Sequence, residues 1–373
     1  MKVLLTATVQ SHICQFHRPL AEVLHSKGYE VHVAAKDNLA EKNGLKLDFV
    51  DKVYNIPFSR SPLDKTNIPA YKELKKIIEE NDYDVIHCNT PVGGIVTRLA
   101  ARKKRKTGTK VFYTAHGFHF YKGAPIKNWI AYYPIEKFFA NNFTDKLITI
   151  TNEDYALAKS NFKCQVERIH GVGVDKNRFF QVNEEEKEKL KEKFGFSNDI
   201  KIILCVGELL NNKNQQMVIK AMPLILKKHP NTILFIAGNG PQKCNLENLI
   251  SELNLNDNVK LLGYTTNLQD YQHISDVAVS CSIREGLPLN IVEAMLSGTP
   301  VVATDNRGHR ELILNETNGI LVPVNDIKKM SDAVNLIFEN HDVKKLMIKK
   351  AKETALQFDY STVKAELEEI YSI

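Results

Sequence analysis

Short, apolar, β-rich runs alternate with longer stretches of helical periodicity from residue 2 onward, and after a charged interruption at 183–193 the alternation starts afresh. Residues 2–9, 29–35, 84–89, 110–115 and 146–150 read as strands, as do 201–206, 231–237, 258–262, 276–280 and 300–303. Between them, 14–27, 70–80, 93–106, 126–141, 214–228, 242–253, 288–297 and 327–340 carry helical spacing. Strand–helix alternation builds parallel sheets covered by helices on both faces. A second start with its own buried first strand calls for a second sheet. The chain has 373 residues, more than the ~250–300 that one hydrophobic core serves. The expected fold is α/β, with two Rossmann-like doubly wound domains facing a central cleft. They are drawn at 1–181 and 182–373, with the last helix, about 357–373, packing back on the first domain.

Several classes drop out. No apolar run nears the ~20 residues of a membrane-spanning helix, and the opening 1–9 is too short for a signal-peptide core and reads as a buried strand. Six cysteines (Cys14, Cys88, Cys164, Cys205, Cys244 and Cys281) stand singly, without a Cys-x-x-Cys pair, as in a reducing compartment. Charge is unevenly placed: residues 1–181 hold 28 Lys and Arg against 18 Asp and Glu, a net of +10, and the remainder is −4. The first half is suited to something anionic.

Open parallel sheets bind ligands at the carboxyl ends of their strands. The densest chemistry at such a place is the run from Ser280 to Met295. A strand ends near Ser280, a loop carries Arg284, Glu285 and Gly286, and Leu287 leads to Pro288, which suits a first helical turn. The N–H groups of Leu289 and Asn290 are then free at a helix start, which is an anion site, above all for phosphate. Arg284 adds a full charge, and Glu293 sits deeper on the same helix, able to accept from two sugar hydroxyls. Singly, each of these residues reads as a solvated side chain; together and in this order they read as a site.

Glu285 and Glu293 stand within Arg-Glu-Gly-Leu-Pro-Leu, Glu-Ala-Met and Gly-Thr-Pro-Val-Val-Ala-Thr. This set resembles the retaining glycosyltransferases of family 4, which have the GT-B fold. Residues 207–214, 238–241, 263–264, 298–304, Arg307-Gly308 and Asn318-Gly319 carry further family landmarks. The resemblance implies that Glu285 lies near the donor sugar, that Glu293 contacts the nucleotide ribose, and that Lys213 binds the donor phosphates. It makes the first domain the acceptor-binding one and the second the nucleotide-sugar-binding one. Many members have an arginine where this chain has Glu208. A carboxylate there repels a diphosphate, so either Arg284 and Lys213 suffice or Glu208 points elsewhere, with Lys213 as one partner.

In the first domain, His116 directly follows the strand 110–115. The resemblance assigns it to the donor sugar and the scissile bond, where a histidine can donate to a hydroxyl or to a phosphate oxygen as charge builds. His119 reads rather as a loop residue. The loop 8–17 lacks the glycine pair of many relatives and resembles a bacterial exopolysaccharide, capsule or lipid-linked oligosaccharide subgroup. Ser11, His12 and Gln15 are its acceptor-side candidates. The five consecutive cations Arg102–Lys106 suit a helix C-terminus and also anionic lipid headgroups. Residues 126–143 mix Trp129, Tyr132, Tyr133, Phe138, Phe139 and Phe143 with Lys127 and Lys137, a composition fit for a membrane interface or for core. Peripheral attachment at the inner face of a plasma membrane is the expectation. No base-stacking or groove-reading motif accompanies the charge, so nucleic acid is not expected as a partner.

The expected reaction moves a sugar, with retention, from a nucleotide diphosphate donor to a hydroxyl of a lipid-linked or polysaccharide acceptor. UDP carrying an N-acetylhexosamine or hexose is favoured. No cofactor and no metal is expected, because Lys213, Arg284 and the helix amides can carry the leaving charge. Asp82-Tyr83-Asp84 mimics a metal motif but precedes a strand. A nucleotide-sugar 2-epimerase of the same architecture, a transferase with a soluble acceptor and a silent sugar-binding protein remain as alternatives. A dinucleotide oxidoreductase does not, since residues 8–14 contain no glycine.

Overall fold

A computed structural model describes residues 1–42 and 44–372. It separates into two compact units, Met1–Gly173 with Tyr360–Ile373, and Val174–Asp359.

The first unit holds the strands β1 (Lys2–Val9), β2 (Glu30–Lys36), β3 (Lys52–Asn55), β4 (Val85–Asn89), β5 (Lys110–Ala115), β6 (Lys146–Thr149) and β7 (Gln165–Arg168). They form one sheet in the order β3-β2-β1-β4-β5-β6-β7, with every neighbouring pair parallel. Six consecutive residues of β1 are buried, the mark of a strand covered on both faces. On one face Leu4, Ala34, Ile86 and Val111 pack under Leu74 and Ile78 of the helix Asn67–Glu80 and Val96 and Ala100 of the helix Pro91–Arg105. Further along the same face Cys88, Tyr113 and Leu147 form a second cluster with Phe118 and Phe120.

The second unit holds β8 (Lys201–Val206), β9 (Thr232–Ala237), β10 (Val259–Gly263), β11 (Val277–Ser280), β12 (Val301–Thr304) and β13 (Ile320–Val322), in the order β10-β9-β8-β11-β12-β13 and again parallel. Twin Rossmann-like sheets with helices on their faces are thus present.

The sequence left out three strands, β3, β7 and β13. All three are sheet edges of three or four residues. An edge strand is half solvated, so it lacks the continuous apolar run that marks a central one. The units also part earlier than residue 181, since Val174 and Phe179 join Ile291, Met295 and Leu296 in the second unit's core. The terminal helix Tyr360–Ile370 belongs to the first unit, where it packs on the helix Arg18–Ser26 and Tyr371 Oη meets His87 Nδ1 at 2.6 Å. The charged stretch after residue 183 is the helix Glu184–Lys193, closed by a capping box of Asn183 and Glu186. Its Lys187 and Lys191 reach the buried Asp276 at 2.7 and 3.3 Å.

Candidate active site

In each sheet the strand order reverses beside the first strand, between β1 and β4 and between β8 and β11. Loops leaving the two strands at such a point part to opposite faces and open a crevice. The candidate residues of the two units fall at these two places.

In the second unit, the loop after β8 and the loop after β11 are fastened together. Ile283 donates its N–H to the Asn212 carbonyl at 2.8 Å, and Asn212 Nδ2 donates to the Arg284 carbonyl at 2.8 Å. Across this junction Lys213 Nζ meets Glu285 Oε1 at 2.6 Å, with both side chains part-buried. That carboxylate is the ion partner the structure gives Lys213, where the sequence suggested Glu208. Arg284 is exposed, and its guanidinium pairs with no carboxylate among the described residues. Lys213 therefore lies with one carboxylate while Arg284 points a free charge at solvent.

Glycines let these loops approach so closely. A Cβ on Gly308 would stand 2.6 Å from both Glu285 Cβ and the Gly286 carbonyl oxygen. One on Gly238 would lie 2.0 Å from the Gly207 carbonyl oxygen. The stem of Lys213 runs over Gly207, 3.5 Å from where a Cβ would sit. Below the loop lies a polar network that the sequence reading missed. Asn306 Nδ2 donates to the Ser282 carbonyl at 2.9 Å, and Asn306 Oδ1 accepts from the N–H groups of Gly308 and His309. His309, fully buried, touches Ser280 Oγ at 3.0 Å and the Thr304 carbonyl at 2.5 Å. Burial pushes this imidazole below the usual histidine range. The only signal in the sequence was the polar cluster flanking Arg307-Gly308, which has no periodicity of its own.

Pro288 is the N-cap of the helix Leu289–Leu296, one place earlier than expected. Among the described residues no side chain caps that end; Ile291 N–H donates to the Pro288 carbonyl at 3.1 Å, and the N–H groups of Leu289 and Asn290 lack partners within the helix. Leu289 packs its side chain against the core. Asn290 turns its side-chain amide to the Val206 carbonyl at the end of β8, 3.1 Å away, so only its backbone faces an anion. Leu287 likewise packs on the core. Glu293 keeps partial access to solvent, yet desolvation lifts its carboxyl to about 7 against a smaller opposing pull from Arg178.

In the first unit, the sequence expected a loop at residues 8–17 and one helix from 14 to 27. Instead Gln10–Phe16 is helical, and a second helix, Arg18–Ser26, starts after His17. Pro19, in the first turn of the second helix, has no N–H to continue the first. Ser11, His12 and Gln15 therefore ride on a helix. Ser11 is buried and tied to Asn38 through its N–H (3.0 Å) and its Oγ (2.9 Å), a structural engagement. Gln15 is exposed. His12 Nε2 lies 3.3 Å from His116 Nε2, which joins a residue after β1 to one after β5.

Asn89, the last residue of β4 and wholly buried, was not foreseen. Its Nδ2 donates to the Thr6 carbonyl at 3.3 Å, which turns Oδ1 toward His116 Nε2 at 3.1 Å. On that arrangement His116 carries its proton on Nε2 and offers Nδ1 as an acceptor. The next residue, Thr90, is held at φ 64°, rare for a β-branched side chain, by contacts of its Oγ1 with Thr8 Oγ1 (2.7 Å) and Thr8 N–H (3.1 Å). Burial brings His116 down to about 4 and His87 to about 3. His119 stacks on Tyr132, its ring 4.6 Å away, and its carbonyl accepts from Asn128.

Asp82 pairs with Lys104, and Asp84 accepts the Lys2 N–H at 2.6 Å, so both serve structure. Of the basic run, Arg105 is spent on Asp145 and on the carbonyls of Asn142 and Thr144. All six cysteines are free. The helix Ile126–Phe143 divides its side chains. Phe139 is buried and Trp129 and Tyr133 pack on the core, whereas Ile126, Ile130, Ile135 and Phe138 are 77%, 72%, 46% and 55% exposed.

Twin Rossmann-like sheets, with a cationic, carboxylate-bearing site at the second sheet's switch point, define the GT-B class of glycosyltransferase architecture. Comparisons with known proteins agree. The family model for glycosyl transferases group 1 matches residues 186–354, and that for glycosyl transferase 4-like proteins matches residues 2–152. EpsD of Bacillus subtilis (strain 168), which carries a glycosyltransferase name, is 41% identical over 373 residues, covering 100% of this chain and 96% of that one. A UDP-Gal:alpha-D-GlcNAc-diphosphoundecaprenol alpha-1,3-galactosyltransferase of Escherichia coli is 28% identical over 326 residues, 84% of this chain and 81% of the relative. Anabaena HepE, crystallised with UDP and glucose, superposes with a TM-score of 0.80 at 21% identity, over 100% of this chain and 99% of its own. WaaG, a glycosyltransferase involved in lipopolysaccharide biosynthesis, gives 0.77 at 15% identity over 99% of each chain. The chain belongs to the group 1, family-4-like glycosyltransferases.

Proposed function

We propose that this glycosyltransferase takes a sugar from a nucleotide diphosphate donor, with UDP carrying an N-acetylhexosamine or hexose favoured, and transfers it with retention to a hydroxyl of a lipid-linked or polysaccharide acceptor. The observation that carries the reading is the Lys213–Glu285 pair beside the unpaired Arg284 and the uncapped start of the helix Leu289–Leu296. A diphosphate at that helix start would take Lys213 from Glu285. A part-buried ion pair contributes little, of the order of 1 kcal/mol or less where solvent reaches it, so the exchange is easy. The freed Glu285 carboxylate then turns to the donor sugar.

As the glycosidic bond breaks, charge grows on the leaving diphosphate. Lys213, Arg284 and the backbone amides of Leu289 and Asn290 stabilise it in place, without reorganising. Gly286 keeps the approach clear, and Glu293 accepts from the ribose hydroxyls. No metal has a part in this scheme. In the first unit, His116 serves the sugar, and His12 and Gln15 stand on the acceptor side; Ser11 supports them through Asn38. UDP in the HepE crystal and the diphosphoundecaprenol acceptor in the name of the Escherichia coli relative support the donor and acceptor classes.

Peripheral attachment at the cytoplasmic face of the plasma membrane completes the reading. Among the described residues no helix is long and apolar enough to cross a membrane. The exposed stripe Ile126, Ile130, Ile135 and Phe138, on a half-chain of net charge +10, suits the interface of an anionic bilayer.

The test incubates the protein and membranes with a panel of labelled nucleotide sugars and extracts lipid. Label is expected in the lipid fraction with one donor, and Lys213→Ala should lower transfer by at least about 100-fold, the scale of losing one charge-stabilising group. Turnover of the donor with no acceptor present would point instead to an epimerase, and unchanged transfer by Lys213→Ala would refute the assigned site.

A further inference from the structure

His12, His17 and His116 each offer a ring nitrogen, and these three atoms lie within 4.8 Å of one another. His17 comes from the junction between the two first-unit helices and is 4% exposed. Its Nε2 is buried and finds no hydrogen-bond partner among the described residues. A buried polar atom left unpaired costs about 1–3 kcal/mol, which a ligand would recover. Its ring stands 5.3 Å from that of His12 and 5.7 Å from that of His116, so the orphan belongs to the cluster.

We propose that these three histidines form a regulatory site for a divalent transition metal, of which zinc is the type, and that occupancy withdraws His116 from the sugar. The last clause rests on the role given to His116 above. The geometry supports the metal on its own. His12 Nε2 and His116 Nε2 are 3.3 Å apart; an ion at ~2.05 Å from each makes an N–metal–N angle of about 107°, close to tetrahedral. The His17 ring must close the remaining gap by about 1.5 Å, from the 4.8 Å limit to that same spacing. Three imidazoles with one open position match catalytic-type zinc sites, and Asn89 Oδ1, 3.1 Å from His116 Nε2, is an oxygen near the same point. Imidazoles favour zinc, nickel, cobalt and copper, and not magnesium or calcium, which demand oxygen. Burial keeps all three rings neutral, as ligation requires. On binding, the proton that His116 holds at Nε2 moves to Nδ1, so the ring loses the acceptor that it offers to a hydroxyl.

Equilibrium dialysis of the full chain, purified without a polyhistidine tag, against zinc chloride should show one tightly held ion, with magnesium chloride giving none. Cobalt should develop the visible bands of a four-coordinate site. His17→Gln should weaken zinc at least 10-fold and make transfer correspondingly resistant to zinc. His12→Gln, at a half-buried and more tolerant position, should weaken zinc likewise, read by dialysis alone because His12 stands on the acceptor side, with circular dichroism confirming the fold of each variant. No uptake by the parent chain, or uptake that both variants retain, would overturn the site. Should the assigned function itself be wrong, metal-free chain would transfer no sugar while dialysis and cobalt spectra still reported the site.

Discussion

Replacing Glu293 by glutamine removes a carboxylate that the second unit keeps costly to ionise. Lifting its carboxyl from 4.5 to about 7 makes the charged form roughly 3 kcal/mol less favourable in the folded chain than in the unfolded one, at ~1.36 kcal/mol per pH unit. This is an upper value, because the side chain keeps some access to water. Below pH 4.5 both states hold the proton, and the parent suffers no penalty. Between pH 4.5 and 7 the unfolded chain ionises first, so stability falls as pH rises; above 7 the loss is constant. Urea denaturation from pH 4.5 to 8.5 should therefore find Glu293→Gln equal to the parent at the acid end and up to about 3 kcal/mol more stable at pH 8. Nucleotide binding should move the opposite way. With a carboxyl near 7, the ionised fraction rises from about 9% at pH 6 to about 91% at pH 8, so affinity of the parent for UDP should climb about 10-fold. The variant should bind weakly and without that slope. Stability curves that run parallel at every pH would refute the burial argument, and pH-independent UDP affinity in the parent would refute the ribose contact.

Two further outcomes follow from packing. Gly308→Ala places a methyl 2.6 Å from Glu285 Cβ and the Gly286 carbonyl; sugar transfer should drop at least about 10-fold, with a stability loss of about 1–3 kcal/mol as for other overpacked sites, read by kinetics beside urea denaturation. Unchanged kinetics would show that the loop does not position Glu285. In the first unit, Arg98 is wholly buried, bonded to Glu136 at 2.8 Å and stacked on Tyr113 at 4.1 Å. Glu136→Gln leaves that guanidinium without its counter-charge and should cost about 3–5 kcal/mol in urea denaturation, whereas a loss under 1 kcal/mol would mean that the aromatic faces suffice.

What the sequence determined was set by short-range rules. Central strands such as β1 and β8 are continuous apolar runs, so their number, their parallel pairing and the restart of the pattern were legible, and the residues at their carboxyl ends were legible with them. Glu285, Glu293, Lys213 and His116 all occur on such ends or in the helix that follows. Tertiary structure decided the rest. The edge strands β3, β7 and β13 owe their form to a neighbour rather than to their own composition. Lys213 chose Glu285 because Asn212 fastens two loops that lie 72 residues apart in sequence. Asn89 and His12 reached His116 because parallel strands bring together termini that the chain separates. Hydrogen bonds of that range leave no periodic trace, since spacing along the chain records burial and says nothing of which polar atoms meet.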